Sequence, residues 1–298
     1  MKNVQFTGVF PALVTPLTAQ EQLHEETARK LLRFHLRYGV DGFYLCGATG
    51  EGPVLPPQTR MALAEVAREE TRGKARIIVH VGAVDLRTAV LLAEHAAKIG
   101  ADAISSVPPF FFHYGEKEIA QYYTALAQAS GLPLLLYCSP LSGVNITYEI
   151  ASRLLEIPGA TGVKWTSYDY YTMQRIKLLR GGAVNVLNGP DECLLCGLAM
   201  GADGGIGATY NVMPGVFRKL YDAFREGNLQ EAQRMQLHAN RLIEIIIRFG
   251  VQASVKEILA RAGYDCGHCL YPMPRLTDEE RRRLNDALDA IDYEGEYL

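Results

Sequence analysis

A single lysine stands inside an apolar run of this chain. Lys164 interrupts the sequence Thr-Gly-Val-Lys-Trp-Thr at positions 161–166, whereas the other eight lysines lie in predicted helices, in turns or at the amino terminus. Burial in an apolar strand penalises an ammonium group and favours the neutral amine. A neutral amine attacks carbonyl carbon and forms a Schiff base. Lys164 is therefore a candidate nucleophile, with a buried ion pair to an inward carboxylate as the alternative.

A tyrosine ends the preceding apolar run. Tyr137 and Lys164 are each about the fifth residue of a predicted strand, so the two side chains could meet in one interior layer. A phenol beside a Schiff-base lysine can move protons to and from the substrate oxygen. Tyr137 alone would be read as a core tyrosine bonded to backbone, and its pairing with Lys164 makes it a catalytic candidate. Thr166 shares the Lys164 side of its strand and could bind a substrate hydroxyl.

Two polar segments follow other apolar runs. Positions 47–52 read Gly-Ala-Thr-Gly-Glu-Gly, in which backbone N–H groups and the Thr49 hydroxyl could converge on an anion. The segment lacks the Gly-Lys-Ser/Thr ending of a nucleotide loop, which favours a carboxylate over a phosphate. Asp191 and Glu192 could bind sugar hydroxyls, because each carboxylate accepts several hydrogen bonds. Alternatively, Asp191 caps the following helix and Glu192 interacts with its dipole.

Two Cys-x-x-Cys pairs have the spacing of zinc ligands. Cys193 and Cys196 lie in a predicted helix beside leucines, and Cys266 and Cys269 lie in a predicted loop near the carboxyl terminus. Buried, reduced thiols are favoured over a shared zinc ion, since the chain shows no secretion signal. No metal is expected.

The residues above must be positioned by a repeating architecture. Apolar runs predict strands at 8–14, 42–46, 76–81, 103–107, 133–138, 161–166, 184–188 and 204–208, and helical periodicity predicts helices at 26–38, 58–71, 86–99, 116–129, 148–155, 170–179, 192–200 and 214–224. Parallel strands buried on both faces predict an α/β fold, a TIM (β/α)8 barrel. A doubly wound open sheet is the alternative, but its Gly-x-Gly-x-x-Gly loop is missing after the first strand.

The chain continues beyond this barrel of residues 1–226. Residues 227–298 predict helices at 229–249, 252–262 and 278–291, and no Ser- or Gly-rich linker precedes them. We therefore expect a C-terminal helical tail packed on the barrel. The net charge of −3 and the lack of any run of eighteen apolar residues give no reason to expect nucleic acid or a membrane as partner. The opening residues lack a signal-peptide pattern, which predicts a cytoplasmic location.

Taken together, the segments resemble the pyruvate-dependent class I aldolases of the dihydrodipicolinate synthase and N-acetylneuraminate lyase family over essentially the whole chain. Positions 47–51 resemble the family's Gly-Ser/Thr-Thr-Gly-Glu loop, 136–140 its tyrosine segment and 162–164 its Schiff-base strand. Synthases place an arginine shortly after the proline of the tyrosine segment. Positions 140–144 read Pro-Leu-Ser-Gly-Val instead, which resembles the lyase branch.

The resemblance also implies which residues bind substrate. Its counterparts here are Ala48, Thr49, Thr166, Gly189, Asp191, Glu192 and Ala208. Ala48 and Ala208 each stand where relatives have a hydroxyl residue, and Pro190 stands where a tyrosine is common. Phe111 replaces a tyrosine that in some members reaches a neighbouring subunit's site. Lost hydroxyls of this kind would relax or redirect specificity and leave the Schiff-base chemistry in place.

The resemblance implies a lyase that cleaves N-acetylneuraminate, or a close 2-keto-3-deoxy sugar acid, to pyruvate and N-acetylmannosamine or another aldehyde. Lys164 would carry the Schiff base, Tyr137 would accept the C4-hydroxyl proton, and no cofactor would be required. A homotetramer is implied, with the aromatic segment 110–114 as a candidate subunit contact. A 2-keto-3-deoxygluconate-type aldolase or dehydratase, or a dihydrodipicolinate synthase, is the nearer alternative. A non-catalytic barrel that senses keto acids or sugars is the farther one.

Overall fold

The computed structural model describes residues 5–140, 144 and 146–298. Strands and helices alternate along the first three quarters of the chain. The strands are β1 (Gly8–Pro11), β2 (Gly42–Leu45), β3 (Arg76–His80), β4 (Ala103–Ser106), β5 (Leu134–Cys138), β6 (Ala160–Trp165), β7 (Asn185–Asn188) and β8 (Gly204–Gly207). The helices between and after them are α1 (Glu25–Arg37), α2 (Pro57–Thr71), α3 (Leu86–Lys98), α4 (Glu116–Ser130), α5 (Tyr148–Leu154), α6 (Tyr170–Lys177), α7 (Leu194–Ala199) and α8 (Pro214–Arg225).

All eight strands are parallel and form one sheet. The strand order is β1-β8-β7-β6-β5-β4-β3-β2, and each pairing is parallel. The two ends of this sheet meet through a bridge between Ala12 and Tyr44, where the Leu13 N–H donates to the Tyr44 carbonyl at 3.0 Å. The predicted TIM (β/α)8 barrel is confirmed, and the open-sheet alternative is excluded by this closure.

The barrel interior is filled by its own cluster of side chains. Its buried members are Phe6, Phe10, Ala12, Tyr44, Ile78, Ala103, Leu135, Tyr137, Leu187 and Ile206. A separate and larger apolar cluster packs between the strands and the surrounding helices. The register places Tyr137 of β5 directly beside Lys164 of β6, as the matching strand positions predicted. Both therefore belong to the layer near the carboxyl ends of the strands.

The residues after α8 form α9 (Leu229–Phe249), α10 (Val251–Arg261), α11 (Asp278–Asp289) and α12 (Tyr293–Tyr297). Asn228 caps α9, and Thr277 with Glu280 forms a capping box at α11. The short helix α12 was not predicted; its Tyr293 hydroxyl donates to the Val212 carbonyl at 2.7 Å. Within the described ranges, no helix combines the length and apolar character needed to cross a membrane.

Candidate active site

Lys164 lies inside the barrel with its amino group against aromatic rings. The residue is 5% exposed, and Nζ lies 4.4 Å from the centroid of the Tyr44 ring and 4.1 Å from that of Tyr137. Among residues 5–140, 144 and 146–298, no carboxylate forms an ion pair with it. The buried ion pair considered from the sequence is therefore wrong. A buried amine without a carboxylate partner is suited to nucleophilic attack on a carbonyl.

Tyr44 and Tyr137 form the two walls around this amine. Their rings are perpendicular, at 87°, with centroids 6.0 Å apart. The Tyr44 hydroxyl donates to Ser105 Oγ at 3.1 Å, and burial raises the pKa of Tyr44 well above its usual value. The Tyr137 hydroxyl makes no hydrogen bond to any other described residue. Tyr44 is therefore held by the protein, whereas the Tyr137 hydroxyl remains available to a substrate.

His80 ends β3 and packs edge-on against Tyr137, with ring centroids 6.0 Å apart. Burial lowers the pKa of His80 well below its usual value, and the positive charges of Arg60 and Lys164 lower it further. The ring is therefore neutral, so Nδ1 donates to the Cys46 carbonyl at 3.1 Å and Nε2 accepts from the Val107 N–H at 3.3 Å. His80 thus joins the loops that follow β2 and β4.

The loop of residues 47–52 follows β2 at the same end of the barrel. A Cβ on Gly52 would lie 1.7 Å from the Cys46 carbonyl oxygen, so only glycine permits this close approach. Thr15 Oγ1 donates to the Gly50 carbonyl at 2.6 Å. The N–H groups of Ala48 and Thr49 donate to no acceptor within the described part of the chain. These features agree with the anion-binding loop predicted from the glycine spacing.

A small cavity connects this loop with Tyr137. It has a volume of about 190 Å³ and is lined by Ala48, Pro53, His80, Val107, Phe110, Tyr137 and Ser139. Ala48 and Tyr137 therefore face one space, and the Tyr137 ring is also the one that packs against Lys164. A three-carbon keto acid could place its carboxylate at the loop and its carbonyl near the amine.

Thr166 and Gly189 lie together at the exits of β6 and β7. The Thr166 N–H donates to the Cys138 carbonyl at 2.9 Å, and Thr166 Oγ1 is buried with no hydrogen-bond partner among the described residues. A Cβ on Gly189 would lie 2.1 Å from that oxygen. A buried hydroxyl without a partner is costly unless a ligand or water satisfies it, which agrees with the predicted substrate contact.

Asp191 lies at the exit of β7, but it does not cap a helix. Its carboxylate accepts hydrogen bonds from the N–H and the Oγ1 of Thr209, both at 2.7 Å. The helix predicted at 192–200 is instead a short 3-10 turn over Asp191–Cys193 followed by α7. The N-cap interpretation was wrong because Thr209, which follows the neighbouring strand β8, supplies the donors that the local helix would otherwise have offered.

The environment of Asp191 predicts a pH-dependent stability. Burial raises the pKa of Asp191 to about 7, although the Thr209 hydrogen bonds oppose this shift. The folded chain therefore holds a proton that the unfolded chain releases near pH 4, so the free energy of unfolding falls from about pH 4 to pH 7. Asp191→Asn removes this titration, and we expect its stability relative to wild type to rise by roughly 2 kcal/mol from pH 5 to pH 8. Urea denaturation of both proteins at pH 5 and pH 8 measures this change. If the difference in free energy of unfolding between Asp191→Asn and wild type were the same at both pH values, the expectation would be contradicted.

Glu192 and Ala208 complete the set of predicted substrate contacts. The Tyr168 hydroxyl donates to Glu192 Oε1, which raises the pKa of Tyr168 to about 12. Asn240 of α9 donates to the Glu192 carbonyl at 3.2 Å. Ala208 follows β8 and directly precedes Thr209, the partner of Asp191. The two acidic residues and Ala208 thus lie on one side of the barrel mouth.

The six cysteines are free thiols. Cys266 and Cys269 are buried, as expected, and burial raises the pKa of both thiols, to about 12 and about 11. Cys196 is exposed and Cys193 is half-buried, so the expectation of buried thiols is wrong for Cys196 and only partly met at Cys193. Within the described ranges, no group of three or more His, Cys, Asp or Glu side chains is arranged to hold a metal ion.

All nine predicted site residues lie at the carboxyl ends of β2, β5, β6, β7 and β8. The sequence reasoning missed Tyr44, His80 and Tyr168. His80 could have been found by the argument used for Tyr137, because each is a polar aromatic residue near the end of an apolar strand. The lyase-like segment after Pro140 includes positions 141–143, which lie outside the described residues.

One protein-family model matches the amino-acid sequence over nearly its full length. The model of the Dihydrodipicolinate synthetase family matches residues 5–291. The chain belongs to the dihydrodipicolinate synthetase family. The family resemblance drawn from positions 47–51, 136–140 and 162–164 is confirmed by this match.

Relatives within the dihydrodipicolinate synthetase family include sialic acid enzymes. The N-acetylneuraminate lyase of Salmonella paratyphi B is 39% identical over 254 residues, which cover 85% of this chain and 85% of that protein. The structure of a catalytic lysine mutant of Ruminococcus gnavus sialic acid aldolase is 30% identical, with a TM-score of 0.93 and 98% of each chain covered. That of Proteus mirabilis N-acetylneuraminate lyase is 26% identical, with a TM-score of 0.92, and covers 97% of this chain and 100% of that one.

Proposed function

We propose that this protein is a Schiff-base lyase that cleaves N-acetylneuraminate, or a closely related 2-keto-3-deoxy sugar acid, to pyruvate and N-acetylmannosamine or the corresponding aldehyde. The observation that carries the proposal is the buried Lys164 amine, which faces Tyr137 and has no carboxylate partner in the described structure. The sialic acid enzymes among the relatives support the choice of substrate, and one of them is described as having a catalytic lysine.

Lys164 is the nucleophile of the proposed reaction. Its neutral amine adds to the C2 carbonyl, and loss of water with uptake of one proton leaves a cationic iminium. When the C3–C4 bond breaks, the bond's electron pair moves into this iminium and forms a neutral enamine. Protonation of the enamine at C3 and hydrolysis then release pyruvate and the free lysine. The iminium formed on Lys164 is the electron sink, so the proposed chemistry calls for no organic cofactor or metal.

Tyr137 is the proposed proton acceptor. Cleavage of the C3–C4 bond requires that the C4 hydroxyl lose its proton as the aldehyde forms. The Tyr137 hydroxyl has no other partner among the described residues and lies on a ring whose centroid is 4.1 Å from Lys164 Nζ. Thr166 or the substrate carboxylate would relay the proton, since a neutral phenol needs an acceptor for its own.

The remaining residues are proposed to orient the substrate. The N–H groups of Ala48 and Thr49 and the Thr49 hydroxyl would hold the carboxylate. Thr166, Gly189, Asp191, Glu192 and Ala208 would surround the hydroxyl-bearing tail. Asp191 has both of its bonds from Thr209 on one carboxylate oxygen, Oδ2, which leaves Oδ1 for a substrate hydroxyl.

Incubation of the purified protein with N-acetylneuraminate tests the proposal. We expect release of pyruvate, measured by coupling to lactate dehydrogenase, and a borohydride-reduced pyruvate adduct on the peptide that contains Lys164. A panel of 2-keto-3-deoxy acids serves as the comparison. If 2-keto-3-deoxygluconate were turned over and N-acetylneuraminate were not, the proposed substrate would be wrong and the proposed Schiff-base chemistry would stand. Absence of both turnover and adduct would reject the lyase and favour the sensor.

The homotetramer and the cytoplasmic location remain predictions from the sequence. Phe111 and Phe112 of the proposed contact segment are 83% and 64% exposed in the single chain, which supports a role in subunit contact.

A further inference from the structure

Glu51, the fifth residue of the loop 47–52, points away from the active site into the protein. Its backbone is left-handed, with φ at 59°, and its N–H closes the turn onto the Ala48 carbonyl at 3.1 Å. A residue other than glycine is held in this conformation only where the surroundings require it. The Glu51 side chain is fully buried, so its carboxylate must be neutralised by the protein.

The partner that neutralises Glu51 comes from the tail. Lys256 of α10 places Nζ 2.6 Å from Glu51 Oε1 and is itself 3% exposed. The other oxygen, Oε2, accepts from the Leu270 N–H at 2.6 Å. Lys256 also donates to the His268 carbonyl at 3.0 Å. Helix α10 and the segment 268–270 therefore hold one carboxylate of the loop through an ion pair and a hydrogen bond, and the bond from Lys256 to His268 joins the two tail segments.

The contact bears directly on the proposed carboxylate-binding groups. Thr49 lies two residues before Glu51, and the turn that Glu51 closes begins at Ala48. On its other side the loop is fixed by Thr15, which donates to the Gly50 carbonyl. Glu51 is thus the point at which the tail can set the direction of the Ala48 and Thr49 N–H groups.

We propose that Lys256 is a positioning residue for the keto acid. It acts through Glu51 to hold the loop 47–52 in its anion-binding conformation, so that part of the binding site is built by the C-terminal tail. This inference rests on the proposed function, because it assumes that the loop binds the substrate carboxylate.

Removal of both charges separates this role from a general effect on folding. Each single change leaves the other charge buried without a partner, and such a variant can fail to fold. The double variant Glu51→Gln/Lys256→Met leaves no buried charge at this pair, and the glutamine oxygen can still accept from Leu270. In the folded double variant we expect the KM for the keto acid to rise about tenfold with kcat within about threefold of wild type, since binding geometry is lost and the lysine chemistry is retained.

Arg261→Gln is the matched control. Arg261 lies on the same helix, but its ion-pair partners Asp289 and Glu294 belong to the tail itself and are 65% and 46% exposed. We expect this variant to keep the wild-type KM. A folded double variant with an unchanged KM would overturn the inference, as would an equal rise in KM in both variants. The wild-type adduct with pyruvate and borohydride is measured in parallel. If it forms while KM is unchanged in the double variant, only the role of Lys256 fails; if it does not form, the proposed function itself fails.

Discussion

Lys164→Met is expected to abolish turnover without destabilising the protein. The methionine fills the same slot between Tyr44 and Tyr137, but it has no nucleophile, so kcat should fall by about four orders of magnitude or more. Because the buried amine has no carboxylate partner in the described structure, its removal leaves no opposite charge stranded. We therefore expect Tm to equal or exceed the wild-type value, as is common when a buried functional group is removed.

Assays and thermal denaturation of the same preparation test both parts of this expectation. Lys219→Ala, on the exposed side of α8, is the control and should retain activity and adduct formation. Retention of the borohydride-trapped adduct in Lys164→Met would show that another amine is the nucleophile. A large fall in Tm would show that the ammonium group has a structural partner, and the loss of turnover could not then be assigned to chemistry.

The barrel could be predicted from sequence because each strand is buried on both faces and each is followed by an amphipathic helix. The strand ends were less accurate. The first strand was expected to continue to position 14, but it ends at Pro11, because the chain then leaves β8 and Leu13 bonds to the end of β2. Which of two neighbouring strands a residue in or just after β1 bonds to depends on how the barrel closes. That pairing leaves no periodic pattern in the sequence.

Site residues could be predicted from the sequence where a polar side chain lies within a single apolar strand. Lys164 and Tyr137 were found because a charged or phenolic residue in an apolar strand is conspicuous, and the register brought them together. The role of Asp191 was only partly anticipated, because its partner Thr209 lies beyond another strand and helix. The ion pair between Glu51 and Lys256 could not be predicted from the sequence. A glutamate in a loop and a lysine in a helix are both common on protein surfaces, and neither indicates burial by itself.

Tyr137→Phe is expected to lower kcat by about two to four orders of magnitude, the usual contribution of a positioned general acid or base. The ring of the phenylalanine retains the wall beside Lys164, so the amine should still form the iminium with pyruvate. Only the hydroxyl that would accept the C4 proton is lost. We therefore expect the pyruvate adduct to be trapped by borohydride as in wild type, whereas cleavage of the sugar acid becomes slow.

Tyr44→Phe is the matched control, because Tyr44 packs against the same lysine from the other side. Its hydroxyl donates to Ser105 and is therefore committed to the protein. If proximity of a phenol were enough, both variants would lose activity equally. If the free hydroxyl is what matters, Tyr44→Phe should retain kcat within about tenfold, because loss of an ordinary internal hydrogen bond costs about 1 kcal/mol. Equal losses in the two variants, or full activity in Tyr137→Phe, would assign the proton transfer to another group, with Thr166 as the next candidate.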